Sequence, residues 1–202
     1  MASYALEQLF VDQGSDLVID TIASVLAWVP GKSKKRGTQP FTFQVEHRVP
    51  PAAAKRVSID LTWNIAKLQA LVPGVQAHAT RLATGVSAQR EHVAELAAYG
   101  LAMVGISVLM PGIRILAFRR GLAPDLLFDV TPAALRGVEV AGRTKGGWNK
   151  LKEIRDGSAA TKKKTATAGK ASQLRARADV AEAHLSLFCA SPRVALKERV
   201  KP

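Results

Sequence analysis

Three acidic side chains, Glu95, Asp125 and Glu139, carry the chemistry this chain most readily suggests. Asp125 opens the run Pro124-Asp125-Leu126-Leu127-Phe128-Asp129. Glu139 lies inside Gly137-Val138-Glu139-Val140-Ala141-Gly142-Arg143, after a turn signal at Thr131-Pro132. Both runs read as apolar strands, where an unpaired carboxylate is expensive to bury. A divalent cation would account for them. Magnesium takes one or two carboxylates and keeps several waters, so two acids on adjacent strands suffice. A metal held this way, with a cationic side chain beside it, is equipment for hydrolysing a phosphodiester. Plainer roles compete: a Pro-Asp turn at the strand entry, or Glu139 paired with Arg136 or Arg143. Asp129 shares strand parity with Asp125, so either can face the site.

The elements that must position these acids follow from periodicity. Residues 90–110 read as a long apolar helix that carries Glu91 and Glu95 on one face, with Ser87 as its N-cap. Starting within it, residues 96–113 are free of charge and just reach membrane-spanning length. Pro111-Gly112 interrupts that stretch, and a buried core helix is the preferred reading over a membrane anchor. Strands are expected at 113–118, 126–130 and 137–141, then a helix at 148–155 and a helix at 171–183. A strand over 184–190 follows, with another over 193–200. From residue 88 onward the order is therefore helix, three strands, helix, strand.

The first part of the chain, 1–87, reads differently. A helix is expected over 3–29, ended by Pro30 and the basic run Lys32-Ser33-Lys34-Lys35-Arg36. Strict alternation of Phe41, Phe43, Val45, His47 and Val49, then of Val57, Ile59, Leu61 and Trp63, predicts a β-hairpin. Short helices are expected at 64–72 and 75–82, on either side of Pro73-Gly74. His47 on the apolar face is expected to be a structural histidine. This N-terminal helical and hairpin region can cover the sheet, form a homo-oligomer contact or bind a protein partner.

Composition narrows the function classes. The 202 residues are 48% hydrophobic, 22% charged and carry a formal net charge of +13, which describes a globular chain suited to a polyanionic partner. Between 143 and 177 there are eleven basic residues opposed only by Glu153 and Asp156, so the contact surface is expected there. Aromatic residues are 5% of the chain, which points away from base stacking and toward phosphate contacts on duplex DNA. The single cysteine, Cys189, excludes an intramolecular disulfide and fits a reducing cytoplasm. The first ten residues lack the basic start and cleavage site of a secretory signal. No paired histidine spacing, phosphate-binding loop or Gly-x-Ser-x-Gly elbow is found.

Together these residues resemble the PD-(D/E)XK nuclease superfamily, the restriction-endonuclease-like fold. Pro124-Asp125 resembles its PD element, Glu139-Val140-Ala141 its (D/E)-x-K tripeptide, and Glu95 the acid that many members place on the first core helix. The resemblance covers residues 88–192. It implies an α/β (α+β) core of helix, three strands, helix and strand, with the N-terminal helix and hairpin as an extension and a basic loop at 158–169. It further implies Asp125 and Glu139 as ligands of Mg2+ or Mn2+, and Glu95 bound directly or through water. Ala141 stands where the family has lysine. The resemblance then implies a cation from elsewhere: Arg143, two residues further on the same strand face, or Lys170, Arg175 or Arg177 on the following helix. Gln173 resembles a helix glutamine of some branches. The expected function is a metal-dependent DNA endonuclease of DNA processing or defence, contacting DNA through Lys145, Lys150, Lys152, Lys170, Gln173, Arg175 and Arg177. The alternative is a catalytically silent nuclease fold that binds DNA or a protein.

Overall fold

The computed structural model describes residues 1–31, 38–85, 88–119, 121–158 and 165–202. The basic run 32–37, Ser87, Arg120 and Lys162, Lys163 and Lys164 lie outside the described residues. The chain begins with β1 (Ala2–Ala5), a 3-10 turn (Leu6–Gln8), α1 (Leu9–Asp12) and α2 (Ser15–Trp28). Next come β2 (Phe41–Arg48), β3 (Lys55–Thr62), α3 (Ile65–Leu71), α4 (Val75–Thr84) and the long α5 (Arg90–Leu109). The second part runs β4 (Ala117–Phe118), β5 (Leu126–Asp129), β6 (Leu135–Lys145), α6 (Gly147–Asp156), β7 (Gly157–Ser158), β8 (Thr167–Ala168), α7 (Lys170–Ala176), β9 (Val180–Ser191) and β10 (Arg193–Lys201).

Among the described residues, eight strands form one mixed sheet in the order β1-β3-β2-β10-β9-β6-β5-β4, and β7 and β8 make a separate two-stranded ribbon. β4, β5 and β6 pair antiparallel, β6 and β9 parallel, and β9 and β10 antiparallel. The β2–β3 hairpin joins the same sheet by laying β2 parallel to β10. Its register, Phe41 with Leu61, Phe43 with Ile59 and Val45 with Val57, is the one the alternation requires.

Helices cover both faces of this sheet. On one, α5 packs against β6 and β9 and against α2, with α4 outside α2. Ala97, Ala98, Met103 and Ile106 of α5 are buried with Val18, Ile22 and Val25 of α2. Two-thirds (67%) of the apolar window of α5 is buried, so this membrane-length helix is a core element of the fold. On the other face, α6 and α7 pack on β9 and β10: Leu151 with Leu187, Cys189 and Leu196, and Leu174 with Leu185 and Val200.

Several expected boundaries shift. Residues 2–5 are a strand rather than part of a helix, because β3 offers them a parallel edge. The strand expected at 113–118 pairs only at Ala117 and Phe118. Before it, the Gln13 side chain takes over the backbone bonding, accepting from Ile115 N at 2.9 Å and donating to Ile113 O at 3.0 Å. The helix expected to run to residue 183 ends at Ala176, and β9 starts at Val180.

Candidate active site

Close backbone approach brings α5, β5 and β6 together around Asp125. At Gly142 an added Cβ would run into the Ala94 carbonyl, so the missing side chain lets α5 lie directly on β6. At Gly137 a Cβ would meet the Leu126 carbonyl, so β5 and β6 also need this glycine to pair. The β5–β6 ladder reaches Leu126 opposite Val138. Past that pair, the Asp125 side chain stands in for the partner strand: its Oδ2 accepts the Val140 N–H at 2.8 Å. Asp125 is thereby fixed beside β6, next to Glu139 in sequence register.

Tyr99, one turn beyond Glu95 on α5, joins the helix to this carboxylate. Its hydroxyl lies 3.2 Å from Glu95 Oε1 and 3.4 Å from Asp125 Oδ1. A phenol has one proton to donate, so it serves one carboxylate at a time. Burial, followed by the negative charges of Asp125 and Glu95, drives the Tyr99 pKa well above its ordinary value, and the hydroxyl stays protonated. Tyr99 is the residue that sequence reasoning missed. Its spacing of four from Glu95 is the only trace it leaves in the sequence.

Glu139 points to the opposite face of β6, toward α7, where only 4% of its surface is exposed. Lys170, the first residue of α7, donates to Glu139 Oε1. The second oxygen, Oε2, is buried with no hydrogen-bond partner. Burial raises the Asp125 pKa to about 7, and the neighbouring Glu139 charge adds to the rise; the Val140 N–H and Lys170 oppose it. Two carboxyl groups therefore share a poorly solvated space with one lysine ammonium, an arrangement that a further cation would relieve.

Among the described residues no three His, Cys, Asp or Glu side chains gather as a metal-holding group. The carboxylates that would hold a metal are Asp125 and Glu139, whose Oε2 is buried without a partner. Glu95 reaches the pair through Tyr99 and makes a long contact, 4.0 Å, with His92 Nδ1. Asp129 is occupied elsewhere, its Oδ1 accepting from Thr131 N at 2.9 Å and from Thr131 Oγ1 at 2.6 Å.

The candidate cations divide into two groups. Lys170 is the one whose ammonium contacts Glu139, whereas Arg143 donates to the Gly142 carbonyl at 3.0 Å and is exposed. Lys145 and Lys152 are exposed as well, and Lys150 pairs with Glu153 at 2.8 Å. These side chains lie on the end of β6 and on α6. On α7 the polar groups instead tie the helix down: Gln173 to the Ala168 carbonyl at 3.1 Å, Arg175 to the Val200 carbonyl at 3.2 Å, and Arg177 to Asp179 at 2.6 Å. His47 is half-buried at the end of β2, its pKa lowered by burial and by Lys197 and Lys55.

Compared with protein-family models, curated proteins and solved structures, the chain matches none.

Proposed function

We propose that this chain is a metal-dependent phosphodiesterase acting on DNA, built on a restriction-endonuclease-like core. The order α5, β4, β5, β6, then α6 and α7, then β9 supports that core, with β5 antiparallel to its neighbours and β6 parallel to β9. The observation that carries the proposal is the contact of Lys170 with Glu139. It supplies, from a helix, the ammonium that Ala141 does not provide from the strand.

In this reading Asp125 and Glu139 hold the metal, and Glu139 Oε2 is the oxygen left free for it. The bound ion would polarise the phosphoryl oxygen and lower the pKa of a water. The Val140 N–H holds the Asp125 carboxylate in orientation, with the Tyr99 hydroxyl shared between it and Glu95. Lys170, with 30% of its side chain exposed, is reachable from solvent and offsets negative charge at a phosphate held beside Glu139. Arg143, Lys145 and Lys152 present unburied cations to the flanking backbone phosphates, which makes binding strongly salt-dependent.

The test is conversion of supercoiled plasmid in Mg2+ or Mn2+ against the same reaction in EDTA. Cleavage by the native chain, lost in Asp125→Ala and Glu139→Ala proteins with unchanged circular dichroism, is the expected result. Salt-sensitive DNA binding without cleavage in any metal would replace the enzyme with a silent binding module.

A further inference from the structure

On the α5 side of the sheet, remote in chemistry from the carboxylate pair, β10 buries an amine. Lys197 is 3% exposed and Ser186, directly across the β9–β10 ladder, is 1% exposed. Lys197 Nζ and Ser186 Oγ are both buried without a hydrogen-bond partner among the described residues. Such orphans are uncommon in a folded core, and each calls for a physical explanation. Lys197 also lines a cavity of about 20 Å³ whose walls include Phe43, Ile59, Leu61, Leu101 and Phe188. Gly105 of α5 leaves the space above the amine open, since even an added Cβ there would stay 3.9 Å from Nζ. The cavity exceeds the roughly 10–15 Å³ that one water requires, so it has room for a very small molecule beside the amine.

Among the described residues no carboxylate pairs with this amine. His47 faces it from β2 and His184 from β9, both with pKa values lowered first by burial and so neutral imidazoles at neutral pH. The nearby carboxylate, Glu182, is already engaged by His184 at 2.8 Å, by Arg199 at 3.4 Å and by Arg136. Burial brings the Lys197 pKa down to about 7, so a large share of the side chain is the neutral, nucleophilic amine at neutral pH.

We propose that Lys197 is a carbon dioxide-binding residue that forms a carbamate. The nitrogen lone pair attacks the carbon of CO2, an N–C bond forms, and one C=O π pair moves to oxygen. The ammonium proton then leaves to the His47 imidazole or to water. One proton is released per adduct, and nothing is oxidised or reduced. The product carries two oxygens, and the Ser186 hydroxyl across the ladder gains an acceptor. Carbon dioxide is small, neutral and weakly polar, which suits both the apolar walls and passage into a closed core. Two orphaned polar atoms are resolved by one adduct.

The test uses the full-length chain equilibrated with 13C-bicarbonate and CO2 near pH 8, observed by 13C NMR. It is followed by alkyl trapping of carbamates and peptide mapping. A carbamate resonance and a trapped adduct on Lys197 are expected. Ser186→Ala is expected to lower occupancy about fivefold, the effect of losing one hydrogen bond worth about 1 kcal/mol. Lys197→Met, a substitution the apolar cavity accommodates, is expected to abolish the resonance. Peptide mapping of the native protein decides the matter even if a variant folds poorly. Adducts only on exposed lysines or the N-terminus, or none, would overturn the proposal.

Discussion

Replacing Lys170 by methionine gives the sharpest test of how the carboxylate pair is held. The substitution keeps side-chain length and packing but leaves Glu139 and Asp125 facing each other without their shared cation. Breaking a fully buried ion pair costs about 3–5 kcal/mol. Glu139 is nearly enclosed, its side chain 6% exposed, but that of Lys170 is 30% exposed, so solvent screening reduces the loss to about 2–3 kcal/mol. For a chain of this size each kcal/mol shifts the melting temperature by about 2–4 °C, so a fall of about 5–10 °C is expected. The assay is thermal and urea unfolding at pH 8 in EDTA, where a buried carboxyl gains least from protonation. Combining Lys170→Met with Asp125→Asn removes one of the two repelling charges and should recover at least half of the loss. A cost below about 0.5 kcal/mol, or strict additivity of the two substitutions, would refute the reasoning, because the three groups would then not share one buried electrostatic environment.

Other expectations follow from the same geometry. The Asp125 pKa rises from 3.8 to about 7 on folding, so its protonated form favours the folded state; that contribution is complete below about pH 4 and lost as pH climbs through 7. Urea melts between pH 4 and 8 should therefore show native stability falling relative to Asp125→Asn as pH rises, and a flat difference would contradict the shift. Mn2+ should raise the melting temperature of the native protein, more at pH 8 than at pH 6 because metal must displace the Asp125 proton, and Glu139→Gln should abolish the gain; an undiminished gain in that variant would place the ion elsewhere. Gly142→Ala should cost about 1–3 kcal/mol by pushing α5 off β6, read as a lower urea midpoint; an unchanged midpoint would mean the helix does not depend on that contact.

Much of this architecture could be read from the sequence where pattern and burial agree. The β2–β3 hairpin appears as strict alternation because one face is apolar and the other carries Thr42, Gln44, Ser58 and Asp60. Glu95, Asp125 and Glu139 stood out because charge is rare in such apolar surroundings. Tyr99 did not, because it sits in an uninterrupted apolar helix and nothing local tells which side meets Asp125. β9 was partly hidden for a different reason: Val180-Ala181-Glu182-Ala183 has helical preferences, yet β6 and β10 flank it on both sides and tertiary pairing overrides propensity. Its buried Glu182 is supported by Arg136 and Arg199 from the flanking strands β6 and β10, a contact that only the assembled sheet creates. Lys197 was invisible for the same reason, since a lysine in a basic terminal strand reads as solvated until its neighbours enclose it.

The most direct measurement is the cleavage rate in Mn2+ of Lys170→Ala with and without Ala141→Lys, the second change placing an ammonium on the Glu139 face of β6. Removing one general acid-base or charge-stabilising group typically costs about 10²–10⁴ in rate. The expected result is a loss of that order in Lys170→Ala and substantial recovery in the double variant. A native rate in Lys170→Ala would contradict the assignment, because the ammonium against Glu139 would then have no part in the chemistry.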